Sequence, residues 1–197
     1  KDELRAFGFT AELEVKKKAA GGQVKSAFLK ADTLEQLLVI GMEGESGLPL
    51  TKIKIEIDTD PPPLFKTEAR ALLNPVAFSV KVFAPSSLFA GKMHALLCRG
   101  WKTRVKGRDW YDFVWFAGRR TPVDLRHLEQ RMRRSGDWDK DGPLTEGAFR
   151  KLLNRHIDQV NIAQAKEDVV RFLLSPDAVA SWSKDFFHDV ASRISVE

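Results

Sequence analysis

Cysteine is almost missing from this 197-residue chain. Cys98 is the only one, which excludes an intramolecular disulfide framework and a multi-cysteine zinc site. Long apolar runs are missing as well. Leu37 to Met42 is among the longest, far short of the roughly 18 residues that span a bilayer, so no membrane role is expected and a reducing cytoplasm is the default compartment. The opening Lys1-Asp2-Glu3-Leu4 has neither the basic start nor the apolar stretch of a secretory signal. Because residue 1 is not Met, the natural protein is expected to start further upstream. No internal repeat, low-complexity tract, Walker A loop, dinucleotide fingerprint, nucleophile elbow or paired-histidine zinc motif occurs. The apolar fraction of 43% is that of an ordinary globular protein, and collagen-like, coiled-coil and disordered readings fall away.

The residues that are present change texture along the chain. Ala11 to Lys18 and Gln23 to Lys30 alternate apolar and polar positions, with Ala19 to Gly22 as a hairpin joint. Leu34 to Ile40 fits a short helix or a buried strand equally well. In Leu50 to Asp58, Ile53, Ile55 and Ile57 fall on one face of a strand, and Lys52, Lys54, Glu56 and Asp58 on the other. Pro61-Pro62-Pro63 ends that strand by removing three backbone donors, and Phe78 to Phe83 reads as another, after the break at Pro75. From Ser86 onward helices dominate. They are expected from Ser86 or Ser87, as caps, to about Arg99, then over 109–118, 124–134, 145–157, 162–174 and 182–194. Strands followed by helices give an α+β chain, divided into an α/β part over 1–84 and a helical domain over 85–197.

Charge follows the same division. Up to Ala84 the chain has 12 basic and 12 acidic residues, and beyond it 20 and 15, so the whole net charge of +5 lies in the helical part. Lys92 to Arg134 holds 12 basic and 4 acidic residues, with Trp101, Trp110, Tyr111, Trp115 and Phe116 among them. Basic groups neutralise phosphates and aromatic faces stack on unpaired bases, a pattern compatible with nucleotide or RNA binding. It is equally the composition of a solvated basic surface over an aromatic core.

Three constellations could carry chemistry. Glu56 and Asp58 share a strand face and offer the oxygen ligands that magnesium prefers, although Lys52 and Lys54 could instead pair with them in a structural ladder. In Ser87 to Arg99, the residues Leu88, Lys92, Leu96 and Arg99 fall on one helical stripe. There Lys92 either snorkels and pairs structurally or holds a phosphate as a point charge. In Lys106 to Asp112 the carboxylates of Asp109 and Asp112 are three apart. Asp109 could simply cap a helix, but Asp112, inside an aromatic run, has to face a cleft or a cationic partner such as Lys92. Cys98, between apolar neighbours, reads as an inert buried thiol, and His94 as structural.

In order and spacing, IKIEID (Ile53 to Asp58), SLFAGKMHALLCR (Ser87 to Arg99) and KGRDWYD (Lys106 to Asp112) resemble the AbiEii-type nucleotidyltransferase toxins, the AbiEii/AbiGii family of type IV-like toxin-antitoxin systems. Ile157 to Trp182 is similar to the family's helical tail. The resemblance implies a DNA polymerase β-like nucleotidyltransferase core followed by a helical domain. It also implies transfer of a nucleotide from a nucleoside triphosphate to an acceptor such as tRNA, and control by a cognate antitoxin. On that template Glu56 and Asp58 are acidic core-strand positions that would bind magnesium, and Lys92 is a triphosphate ligand. Asp109 and Asp112 match an RDxxD-like motif. Lys54, Arg99 and Arg108 complete the cations expected around the triphosphate.

The family also carries an early Gly-Ser element followed about ten residues later by Asp-x-Asp, which supplies the principal metal ligands. Here Gly44 to Gly47 and Gly21-Gly22 lead to no such pair, so the match reads as the portion after that motif. The core is expected to be incomplete and the 197-residue chain inactive alone. Two alternatives differ in class. One is a non-catalytic helical module that engages RNA or an antitoxin through the basic stripe. The other is a metal-dependent nuclease, which the order Lys54-x-Glu56, the reverse of Glu-x-Lys, disfavours.

Overall fold

The computed structural model describes residues 9–15, 33–42, 51–58, 60–74, 76–99 and 105–197. The strand read at Gln23 to Lys30, its hairpin joint, Pro75 and Trp101 lie outside them. The described residues form an α+β protein whose contacts divide into two compact units, Lys1–Pro61 and Pro62–Glu197.

In the first unit, β1 (Phe9–Val15), β2 (Thr33–Met42) and β3 (Thr51–Asp58) form an antiparallel sheet with β2 in the centre. The stretch that fitted helix or strand is thus a strand, because its backbone groups are paired on both sides. The register sets Leu13 opposite Leu38 and Leu38 opposite Ile53, so the isoleucine positions of β3 continue an apolar row across the sheet. On the other face Glu35 stands opposite Glu56, while Leu37 and Val39 stand opposite Lys54 and Lys52. A direct lysine–acid ladder between β2 and β3 is therefore not what this register builds.

The second unit begins with a hairpin that the sequence reading found only in half. β4 (Thr67–Leu72) pairs antiparallel with β5 (Phe78–Phe83). Among the described residues six α-helices follow: α1 (Pro85–Cys98), α2 (Gly107–Gly118), α3 (Leu125–Ser135), α4 (Glu146–Gln159), α5 (Ile162–Val170) and α6 (Lys184–Ser192). Phe89, Met93, Phe113, Leu128, Phe149, Leu153, Ile157 and Phe187 are almost fully buried and form one core shared by α1, α2, α3, α4 and α6. No helix among the described residues is long and apolar enough to cross a membrane.

Local chemistry explains the helix ends. Asp124, Thr145, Asn161 and Ser183 each accept a hydrogen bond from the backbone N–H three residues on, capping α3, α4, α5 and α6. The start of α1 differs from expectation. Pro85 takes the first helical position, where its missing N–H costs nothing. Ser87, freed from capping, is buried and joins three elements: its Oγ accepts from the Lys66 N–H at 2.9 Å and donates to Asp124 Oδ2 at 3.1 Å. Near the C-terminus, Val123 and Val196 form a parallel bridge beside the start of α3. Arg150 of α4 donates to the carbonyls of Ala191 and Ile194 at 3.0 and 2.7 Å, closing the end of α6.

Candidate nucleotide-binding site

The hydrophobic spacing of α1 fixes what its opposite face can do. Phe89, Ala90, Met93, Leu96 and Leu97 enter the core, and the turn-by-turn geometry of the helix then leaves Leu88, Lys92, Ala95 and Arg99 on one stripe that lines a cavity. Leu96, read as a member of that stripe, joins the core cluster, and Ala95, equally buried, lines the cavity in its place. On α2 the same division sends Trp110, Phe113 and Phe116 inward and leaves Asp109 and Asp112 one turn apart facing α1.

Between these faces lies a cavity of about 430 Å³, lined by Lys92 and Arg99 from α1, Lys106, Arg108, Asp109 and Asp112 from α2 and its approach, and Arg131 from α3. Lys92 Nζ lies 2.8 Å from Asp112 Oδ2, the cationic partner that the aromatic surroundings of Asp112 demanded. Arg99 and Lys106 approach the two oxygens of Asp109 at 3.7 and 3.9 Å. Sequence reasoning thus found Lys92, Arg99, Arg108, Asp109 and Asp112, and the structure brings all five to one cavity. It missed Lys106, although KGRDWYD contains it, and Arg131, whose position 32 residues after Arg99 carries no local signal.

Asp109 is not the cap of α2, since the helix begins at Gly107 with Lys106 before it, and no side chain of its own loop caps it. The cap comes from another helix: Asp168 Oδ2 of α5 accepts a hydrogen bond from the Gly107 N–H at 3.0 Å, placing a carboxylate at the positive end of α2. Gly107 makes that approach possible. A Cβ there would lie 1.9 Å from the carbonyl oxygen of Ala165 and 3.1 Å from Val169 Cβ. Asp168 and Gly107 therefore set where Arg108, Asp109 and Asp112 point without entering the cavity themselves.

Burial raises the Asp109 pKa above its ordinary 3.8, a push strengthened by Asp112 and opposed by Lys106, Arg99 and Lys92. Burial also lowers that of Lys106. A carboxyl that holds its proton more tightly when folded contributes stability that is present at acid pH and lost as pH rises through its folded pKa. Wild type is therefore expected to lose stability relative to Asp109→Asn as pH climbs from about 3.8 toward neutrality. Thermal melts of the two proteins at stepped pH check this, and parallel curves would show that Asp109 ionises as freely as in the unfolded chain.

The AbiEii nucleotidyl transferase toxin family of type IV toxin-antitoxin systems matches residues 3–189. The chain belongs to that family. Membership makes it a toxin-type nucleotidyltransferase with a cognate antitoxin as partner. No curated protein and no solved structure matches the chain.

The remaining predicted residues sit on β3. Asp58 is exposed at the strand end, where its Oδ1 accepts from the Asp60 N–H at 3.1 Å. Lys54 and Glu56 occupy the same strand face, and the register adds Glu35 opposite Glu56, an acid that the sequence reading did not consider.

Of the aromatics interleaved with the basic stripe, Trp110 and Phe116 are core residues and Tyr111 is half-buried. Trp115 is exposed, and the Arg119 guanidinium lies 3.5 Å from its ring centroid. Burial, with Asp137 beside it, pushes the thiol of half-buried Cys98 up to about 12, which disfavours the thiolate. Burial likewise holds His94 down to about 4, so its imidazole is neutral at physiological pH.

Proposed function

We propose that the cavity between α1 and α2 of this AbiEii-family chain binds the triphosphate of a nucleoside triphosphate, for transfer of a nucleotide to an RNA acceptor such as tRNA. The observation that supports it is the convergence of Lys92, Arg99, Lys106, Arg108 and Arg131 on one cavity with only two carboxylates between them. Such an excess of donors suits a polyanion, and the guanidinium groups can grip phosphate oxygens in pairs. Lys92, oriented by Asp112, is the point charge for the departing pyrophosphate, and Asp109 orients Arg99 and Lys106. In the reaction the acceptor hydroxyl attacks the α-phosphorus and gives up its proton to solvent while the bond to pyrophosphate breaks, so charge that grows on the leaving group is offset by these cations.

Glu56 and Asp58 on β3 fit a magnesium ion in donor type, being carboxylates two apart on one strand, with Glu35 opposite in the register. Held by these carboxylates, magnesium would supply Lewis-acid chemistry. In this reading the strands up to residue 84 are the polymerase β-like core without its Gly-Ser and Asp-x-Asp elements, and a cognate antitoxin controls the activity. The site is expected to function in a cytoplasmic protein.

The reading separates binding from transfer. Purified residues 1–197 are expected to bind nucleoside triphosphate, measured by calorimetry, yet to move no label from α-labelled nucleotide to RNA in the presence of magnesium. Transfer by this chain alone would refute the assignment of the principal metal ligands to the absent motif. Absence of triphosphate binding would refute the cavity assignment. If the chain instead binds RNA in a salt-sensitive manner that Asp112→Ala leaves unchanged, the non-catalytic binding module is the better account.

A further inference from the structure

About two-thirds of a turn around α1 from Lys92, a second group of side chains converges that the nucleotide site does not use. His94 and Cys98 are one helical turn apart on α1 and so project side by side. Asp137 reaches them from the other end of the sequence logic: α3 stops at Ser135, and Gly136, at φ 79°, reverses the chain in the left-handed conformation. The N–H groups of Asp137 and Trp138 then donate back to the Met132 carbonyl at 2.8 and 3.2 Å, and the buried indole of Trp138 anchors the loop. One donor atom from each of His94, Cys98 and Asp137 lies within 4.8 Å of the other two. Ser135 Oγ lies 2.9 Å from His94 Nε2 and also donates to Asp137 Oδ2, a hydroxyl that orients both outer members.

We propose that His94, Cys98 and Asp137 form a zinc-binding site with three protein ligands and a fourth position for water. The donor set decides the metal: nitrogen, sulfur and a single carboxylate suit zinc, whereas magnesium takes oxygen alone. Zinc bonds of about 2.0–2.3 Å require tetrahedral donor atoms about 3.5 Å apart, so binding draws together donor atoms that lie within 4.8 Å of one another. On binding, the sulfur–hydrogen bond is replaced by a sulfur–zinc bond and the thiol proton passes to solvent. The ion would tie the loop after α3 to α1, the helix that carries Lys92 and Arg99. It is a brace for the unit and stands independently of what the cavity binds.

Zinc titration of metal-free residues 1–197 by calorimetry is expected to show a site that is lost in Cys98→Ser and for which magnesium does not compete. Cobalt(II) substitution is expected to give the thiolate-to-cobalt charge-transfer band and intense tetrahedral visible bands. Cys98→Ser, a near-isosteric change, abolishes the charge-transfer band, and His94→Gln and Asp137→Asn each weaken zinc at least tenfold. Zinc raises the melting temperature of wild type and not of Cys98→Ser, while both keep the same circular dichroism spectrum. Equal zinc affinity in wild type and Cys98→Ser, or a cobalt spectrum without the thiolate band, overturns the proposal.

Discussion

Lys92→Ala is expected to weaken nucleoside triphosphate binding by about 10- to 100-fold, the loss that follows from removing one charge-assisted contact of about 1.5–3 kcal/mol. The fold is expected to stand. Lys92 and Asp112 are 46% and 31% exposed at the side chain, and a pair so open to water contributes no more than about 1 kcal/mol to stability. For a chain of this size that corresponds to a melting shift of about 2–4 °C. The contrast between a large change in binding and a small one in stability is what separates a ligand-holding lysine from a structural ion pair. Asp112→Asn keeps the volume but releases Lys92, and is expected to weaken binding in the same direction with a smaller factor. In a family toxin that carries the Gly-Ser and Asp-x-Asp elements the corresponding substitutions are expected to abolish nucleotide transfer. Calorimetric titration and thermal melts of the same three proteins are sufficient, and equal triphosphate affinity in all three would remove Lys92 from the site.

The second large effect falls on folding. Gly107→Ala places a methyl group 1.9 Å from a backbone oxygen of Ala165, and a carbonyl inside a helix cannot turn aside as a flexible side chain can. The start of α2 has to move away from α5, which also breaks the hydrogen bond from Gly107 to Asp168. A destabilisation of about 3 kcal/mol or more is expected, at the upper end for overpacking, with a fall in melting temperature of about 6–12 °C. Triphosphate binding is expected to fall with it, because Arg108, Asp109 and Asp112 ride on the displaced turn. Gly118→Ala is the control, since a Cβ there meets nothing within 4 Å, and it is expected to leave both stability and binding unchanged. A Gly107→Ala protein that melts with wild type would mean that α2 and α5 are not packed this closely.

Much of this architecture is written in short-range pattern. The alternation in Thr51–Asp58 dictates β3, the capping residues Asp124 and Thr145 start α3 and α4, and the aromatic spacing of α2 turns its acids toward α1. Where patterns were ambiguous, distant partners decided. Thr33–Met42 is a strand because β1 and β3 flank it, and Ser87, inside the first turn of α1, does not cap it because its Oγ is engaged by Lys66 and Asp124. β4 escaped notice because TEARAL has little apolar alternation, and it exists by pairing with β5.

The same distinction runs through the site. Composition and spacing alone determined a helical part with a concentrated positive charge, the pairing of Asp109 with Asp112 on one face, and the three motifs that carry the family resemblance. Those are properties of residues within a turn or two of one another, which helix and strand geometry fix without further help. Only the tertiary structure decided that Arg131 joins the cavity, that Asp168 caps α2 from another helix, and that Asp137 meets His94 and Cys98. Each of these joins residues 30 to 60 positions apart, and such proximity is set by how helices pack around a common core, a cooperative outcome that no local stretch of sequence encodes.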